Sequence, residues 1–464
     1  MSETVWSTGA PGEIVRRAGG VPGRTTFPTL DELATSFEST RAAHPDLVRR
    51  RRIGTSRLSE PIHVYTVGQG TKQNLVVGGV HPNEPIGSIT AQHLISELCA
   101  DRGLREAFDA TWHIVPCIDP DGYRLNESWF GQPTDRLYYA RRFYRPAPDE
   151  QVEWSFPVDY KRAYFDRMMP ETQALARLMD AVKPDVYVPL HNAELGGVYY
   201  YVSRVSQPLF DLLHAVPQAL GLPLALGEPE SGDLVAAADA IYLMFDFAHT
   251  YDWLEDLGVD PVGPKPAGDS STAYVARYGT LSLIAELPYW SHPASDDTTP
   301  TTESYAALLK RTSEQHLETG RVLTDALAAA GPYLSLDTPL RRGAEAFAPG
   351  IAESGRAGLA RAGQPGSARP ATVAEQFSCE DVVHMFRLRF GSMTLQALEA
   401  ECRAGLAPLE VRRAAQDLAA LYATWEHDAV RATPATPIAL NKVAGVQYGA
   451  VLAAGALAAG LLDS

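Results

Sequence analysis

LVVGGVHPNEPIGS, residues 75–88, runs from an apolar stretch into two glycines and then sets His81 and Glu84 three apart beside two prolines. A short unbroken apolar run that ends in glycine is the pattern of a strand covered on both faces, as strands of a parallel sheet are. PIGSITAQHLISELCAD, which follows at once, repeats its apolar residues at helical spacing. Strand, short polar turn, helix is the unit from which α/β sheets are assembled. Ligands of such sheets collect beyond the carboxyl ends of the strands. An imidazole and a carboxylate at that edge are either an ordinary polar turn or half of a metal site.

Outward from this stretch the same unit recurs. TLDELATSFESTRAAHPDL reads as a helix with Thr29 as N-cap, and LVRRRRIGTS and EPIHVYTVG read as two strands joined by a turn. The run from Arg49 to Arg52 reads as a solvated edge strand rather than a nucleic-acid patch. ATWHIVPCID is a further strand, and PETQALARLMDAV is a helix led in by Pro170. PDVYVPLH and TLSLIAELPYW are short apolar runs suited to the inside of a sheet, and a long helix fits SYAALLKRTSEQHLETGRVLTDALAAA. The alternation predicts an α/β domain over 28–335 with a largely parallel or mixed sheet.

Three segments fall outside that pattern. Residues 1–27 are rich in Gly and Pro without a clear period, which predicts a loose N-terminal segment. Residues 336–372 are rich in Gly, Ala, Pro and Ser and read as a connection. Residues 373–464 are helical in period and read as a small helical C-terminal region, which could assemble subunits into an oligomer, cover the site or complete the core. Its last stretch, VAGVQYGAVLAAGALAAGLL, is nearly long enough to cross a membrane. Ala and Gly dominate it and Gln447 interrupts it, so a packed helix is the expectation.

The net charge of −16 over 464 residues argues against general binding to nucleic acid or to an acidic membrane surface. Cys99, Cys117, Cys379 and Cys402 lie far apart with no C-x-x-C pair, so neither a disulfide framework nor a thiolate zinc site is expected. The first residues, MSETVWSTGAPGEIVRRAGG, hold no apolar signal-peptide core. These features suit a reducing compartment and predict a cytoplasmic protein.

Three strand ends carry metal-type chemistry: His81 with Glu84 after the opening strand, His191 at the end of DVYVPLH, and Glu286 in TLSLIAEL. Two imidazoles and one carboxylate form a usual ligand set for catalytic zinc, with the fourth position open to water. Each piece alone is weak; their joint occurrence in a fixed order is specific.

That order resembles the zinc metallocarboxypeptidases of the carboxypeptidase A type. The family elements G-G-x-H-x-x-E, N-P-D-G-Y, G-V-D-x-N-R-N, L-H and F-E-L appear here as Gly78 to Glu84, Asp119-Pro120-Asp121-Gly122-Tyr123, Val158-Asp159-Tyr160-Lys161-Arg162, Leu190-His191 and Ala285-Glu286-Leu287. The resemblance implies an α/β/α sandwich with a mixed eight-stranded sheet and one zinc ion per chain held by His81, Glu84 and His191. It implies Glu286 as the general base that takes a proton from the attacking water and passes it to the leaving amine. Asp159 would orient the first ligand histidine. The family's Asn-Arg receptor for the substrate carboxylate becomes Lys161-Arg162, which predicts an anionic group on a peptide or small amide substrate. Arg136, Arg141 and Arg142, in the run TDRLYYARRFYR, each could serve as the oxyanion arginine, and Arg136 is the expected one. The family's mobile tyrosine would fall near 263–265, where none occurs, leaving Tyr251, Tyr274 and Tyr278 as the nearest. The activity implied is zinc-dependent hydrolysis of a peptide-like amide bond beside a free carboxylate. An N-acyl amino acid deacylase of the aspartoacylase and desuccinylase kind is the alternative, as is a catalytically inactive ligand-binding relative.

Overall fold

Leu75 and Val77 face one side of the central sheet and Val76 the other, so a single strand feeds two separate apolar cores. In this computed structural model, which describes residues 2–262 and 267–462, that strand lies in the middle of a nine-stranded sheet. In chain order the strands are β1 (Val48–Thr55), β2 (Pro61–Val67), β3 (Lys72–Val77), β4 (Ala110–Val115), β5 (Val158–Tyr160), β6 (Ala163–Phe165), β7 (Val186–Pro189), β8 (Tyr199–Val202), β9 (Ala236–Ala238), β10 (Ile241–Leu243) and β11 (Leu281–Glu286). The sheet runs β1-β2-β4-β3-β7-β11-β8-β10-β9, while β5 and β6 form a separate hairpin. It is mixed: β4, β3, β7 and β11 run parallel to one another, and β2 and β8 run against β4 and β11. The sheet thus has nine strands where eight were expected, and includes the three-residue β9 and β10.

Both faces are covered, as a parallel centre requires. On one face Leu75, Val77 and Tyr187 pack with Leu175, Leu178 and Met179 of helix Pro170–Val182. On the other, Val76 and Val188 join the core that holds helices Ile86–Ala100, Gln207–Leu220 and Leu440–Ala458.

The register sets the site. Tyr187 on β7 pairs with Leu75 on β3 and with Ser282 on β11. Continued past the last paired residues, that register brings Glu286 level with His191, and the β3 chain exits alongside them.

Two expectations need correction. Residues 1–27 are not uniformly loose: Ser2–Ala18 is helical with a kink at Gly9, and buries Trp6, Ala10, Ile14 and Ala18. That apolar spacing of four is a helical stripe which the surrounding Gly and Pro obscured.

The Gly/Ala-rich segment 336–372 is mostly the helix Pro339–Ala362, packed along helix Tyr305–Ala330. Its small residues serve close approach rather than flexibility. A Cβ on Gly355 would stand 2.8 Å from the Ser313 carbonyl oxygen, and one on Gly320 would stand 2.7 Å from the Ala352 nitrogen.

The C-terminal region is helical, as expected, and its helices divide in two. Short strands β12 (Trp290–Ser291), β13 (Pro300–Ser304), β14 (Pro370–Thr372) and β15 (Thr436–Pro437) follow β11. Trp290 pairs with Pro437 and Ser291 with Thr436, so the chain from 292 to 435 departs and returns at one point. Helices Tyr305–Ala330, Pro339–Ala362, Val373–Arg403 and Leu409–Ala432 pack on one another within that excursion. The last helix, Leu440–Ala458, instead lies on the central sheet against β3, β7 and β11. Among the described residues no helix is long and apolar enough to cross a membrane.

Candidate metal centre

β3 ends at Val77, and the chain must turn sharply to deliver His81. Gly78 donates to the Val115 carbonyl at 2.9 Å, and Gly79 adopts φ +67°, the left-handed region that glycine occupies without a Cβ penalty. A Cβ at Gly79 would also stand 2.7 Å from the Cys117 sulfur. The backbone N–H of Glu84 donates to the His81 carbonyl at 3.1 Å, closing a turn just before helix Ile86–Ala100. From the next strand, Leu190 donates to the Val77 carbonyl at 2.9 Å and delivers His191 to the same edge.

The three side chains converge. One ligand atom each from His81, Glu84 and His191 lies within 4.8 Å of the others. His191 Nδ1 is 3.3 Å from Glu84 Oε2 and 3.6 Å from Glu286 Oε1. All four residues are buried, between 3% and 7% exposed. His81 Nδ1 and His191 Nε2 are buried without a hydrogen-bond partner, an arrangement that costs free energy unless another group satisfies them. The unpartnered His81 Nδ1, the His191 imidazole whose Nδ1 faces Glu84, and that ionised carboxylate form a donor set that fits a zinc ion.

Charge is arranged around that point. Burial alone would raise Glu84, but His81, His191 and Arg145 outweigh it and hold its carboxyl at about 2. Burial drives His81 well below the ordinary imidazole value, with Arg145 adding to the effect. Burial acts the same way on His191, but Glu84 and Glu286 more than offset it and lift this imidazole to about 9. Burial pushes Glu286 well above the usual carboxylate range. The site therefore holds one carboxylate ionised and raises the proton affinity of the other.

Several residues that no local sequence pattern marks complete the site. Arg145 Nη1 donates to Glu84 Oε1 at 3.1 Å, and its Nε donates to Gln151 at 3.1 Å. Arg145 is the last arginine of the TDRLYYARRFYR run. Asn192 ties three strand ends together. Its N–H donates to Glu84 at 3.0 Å, its side-chain oxygen accepts from Ile86 at 3.2 Å, and its amide donates to the Leu287 carbonyl at 3.1 Å. Glu153 is buried and accepts from Ser271 Oγ at 2.7 Å; burial raises its pKa. The Trp154 ring, 40% exposed, stacks toward His81 with centroids 6.5 Å apart.

The other expected residues stand elsewhere. Asp159 is exposed on the β5–β6 hairpin, and the side chain beside His81 is that of Gln151. Lys161 and Arg162 form the exposed turn of that hairpin. Lys161 pairs with Asp252 at 2.8 Å and Glu255 at 2.5 Å, and Arg162 pairs with Asp260 at 2.6 Å. Their motif residues form a short exposed hairpin, so the cations meet surface carboxylates and not the buried centre.

Arg136 is buried between Glu194 at 2.9 Å and Asp381 at 2.7 Å, which spends its guanidinium on an internal network. Arg141 pairs with Glu426 at 2.5 Å, and Arg142 lies 3.6 Å from the centre of the Tyr138 ring. Tyr274 and Tyr278 both donate to Asp180. Tyr251 is buried, with its ring 5.4 Å from that of Tyr160. Positions 263–265, where the family's mobile tyrosine would fall, lie outside the described residues.

The zinc carboxypeptidase family model matches residues 33–219. Similar solved structures include bovine thrombin-activatable fibrinolysis inhibitor in complex with tick carboxypeptidase inhibitor, at 14% identity over 56% of this chain and 86% of that one, with a TM-score of 0.36. Carboxypeptidase A from Helicoverpa armigera is similar at 14% identity over 76% of this chain and 79% of that one, with a TM-score of 0.38. A metallo-carboxypeptidase from Burkholderia cenocepacia is similar at 18% identity over 56% and 60% of the two chains, with a TM-score of 0.35. Residues 33–219, which contain His81, Glu84 and His191, thus relate this chain to the zinc carboxypeptidases.

Proposed function

We propose that the protein is a zinc-dependent hydrolase of a peptide or peptide-like amide bond, with one ion held by His81, Glu84 and His191. The observation that carries this reading is the position of His191 Nδ1, 3.3 Å from Glu84 and 3.6 Å from Glu286, at an edge where two imidazole nitrogens have no partner. Zinc in such a site supplies Lewis acidity and lowers the pKa of water.

The chain's own groups do the rest. Glu286 takes the proton of the attacking water. Its raised proton affinity, caused by burial, suits a group that must hold that proton until the amine leaves. Arg145, pointed at the centre by its bond to Glu84, stabilises the charge that develops on the amide oxygen. Asn192 keeps the Glu84, His191 and Glu286 strand ends in one register. The anionic substrate group inferred from Lys161 and Arg162 has no support from their surface pairing, so the proposal is confined to the amide bond.

Metal analysis together with hydrolysis of a peptide and N-acyl amino acid library tests the reading. Stoichiometric zinc with turnover that Glu286→Gln abolishes supports it. Stoichiometric zinc with no turnover of any amide would leave the inactive, ligand-binding relative as the better reading.

A further inference from the structure

Gln447 places an amide side chain in the apolar stretch 443–458 of the last helix, and that amide does not face solvent. Gln447 is 1% exposed, and its Nε2 donates to the main-chain carbonyl of His191 at 2.8 Å. A carbonyl only accepts, so the –NH₂ half of the amide must face His191 and the oxygen must face away. That oxygen accepts from Thr90 Oγ1 at 2.7 Å, and Thr90 is fully buried on helix Ile86–Ala100, six residues beyond Glu84. One amide therefore joins the segment bearing the second imidazole to the helix that follows the ligand carboxylate. Both its hydrogen bonds are buried, and each end has only one correct orientation.

We propose that Gln447 is a positioning residue of the metal centre, fixing the His191 backbone relative to the Glu84 helix through the Thr90–Gln447–His191 chain of hydrogen bonds. The inference rests on the reading of His81, Glu84 and His191 as metal ligands. It assigns a task in that site to a helix far outside residues 33–219. Gln447 touches neither the ion nor the substrate. It acts by narrowing where His191 can stand, and groups that orient a ligand in this way typically change metal affinity by about 10–100-fold when removed.

The test is zinc affinity of the full chain, measured by chelator competition, with thermal melts of the metal-free protein alongside. Gln447→Leu is expected to weaken zinc binding by about tenfold or more. Thr90→Val keeps shape and leaves the bond to His191 but frees the amide to turn, and is expected to weaken binding less, in the same direction. Leu452→Ala, a cavity in the same helix, is expected to lower the melting temperature while leaving zinc affinity unchanged. Wild-type zinc affinity in both Gln447→Leu and Thr90→Val, whatever their melting temperatures, would overturn the proposal. If Gln447→Leu does not fold, Thr90→Val decides alone. A wild-type chain that binds no zinc would overturn the metal reading itself, an outcome distinct from variants that bind as well as wild type.

Discussion

Arg145 Nη1 donates to Glu84 Oε1 across 3.1 Å, while the other oxygen of the same carboxylate accepts from the Asn192 N–H at 3.0 Å. Glu84 is thus oriented from two sides before any ion arrives, and a guanidinium is fixed at the edge of the site. Arg145→Ala is expected to lower kcat/KM by about 10²–10³-fold, the usual cost of removing one donor to a developing oxyanion. Zinc affinity, measured by chelator competition, should fall by about 10–100-fold as well, because the same guanidinium orients the ligand carboxylate. Arg145→Lys should recover only part of the rate, because a point charge lacks the planar fork that bonds Glu84 and Gln151 together. Full activity in Arg145→Ala would move the oxyanion role to another group.

Glu286→Gln keeps the shape of the last residue of β11 and removes its basicity. Turnover should fall by about 10²–10⁴-fold, the typical contribution of a positioned general base, with zinc retained. His191→Ala should lose zinc instead, since it removes one of the three ligands. The two variants separate the metal from the base. Zinc loss in Glu286→Gln, or zinc retention in His191→Ala, would reverse their roles.

The parts of the site legible in the sequence are those delivered by strand ends. The run into His81, DVYVPLH and TLSLIAEL are short apolar strands, and a parallel register carries their carboxyl ends to one edge whatever surrounds them. Arg145, Asn192 and Gln447 were not legible because each acts through a contact distant in sequence, and no local period marks it. Composition also misled. The glycines and alanines of Pro339–Ala362 read as a connection, yet they are small because two helix backbones approach closely. The motif V-D-x-x-R reads as carrying a binding pair, but its residues fold into a hairpin whose carboxylate partners come from the segment 252–260.

Lys161 and Arg162 test that last point. Both are exposed, and surface ion pairs of this kind contribute little. Lys161→Ala and Arg162→Ala should each leave kcat/KM within about threefold of wild type. A loss confined to substrates bearing a free carboxylate, absent for their amides, would show that this hairpin reaches the substrate after all.

The helical excursion carries its own response to acid. Burial, reinforced by the Arg387 guanidinium, depresses His316 on Tyr305–Ala330 to about 4, and does the same to His384 on Val373–Arg403 against a smaller opposing pull from Asp428. His316 Nε2 and His384 Nδ1 are both buried without a partner. Each imidazole stays neutral in the folded chain but takes a proton when unfolded below about 6.5. The unfolded state then binds more protons, so stability is complete above that value and is lost as pH falls toward 4. Asp119, buried and raised to about 7, works in the opposite sense, because the folded chain takes up its proton first. His113, at about 4, adds to the histidine effect from the sheet. Asp269, raised by burial to about 6, opposes the histidines as well. The share of His316 and His384 is therefore the part of any acid-induced fall in melting temperature, read at pH 7, 6 and 5, that replacing them removes. His316→Phe, which preserves a ring against Phe386, and His384→Leu should each flatten that fall, and the double variant should flatten it most. A double variant as acid-sensitive as wild type would place the titrating groups outside these two helices.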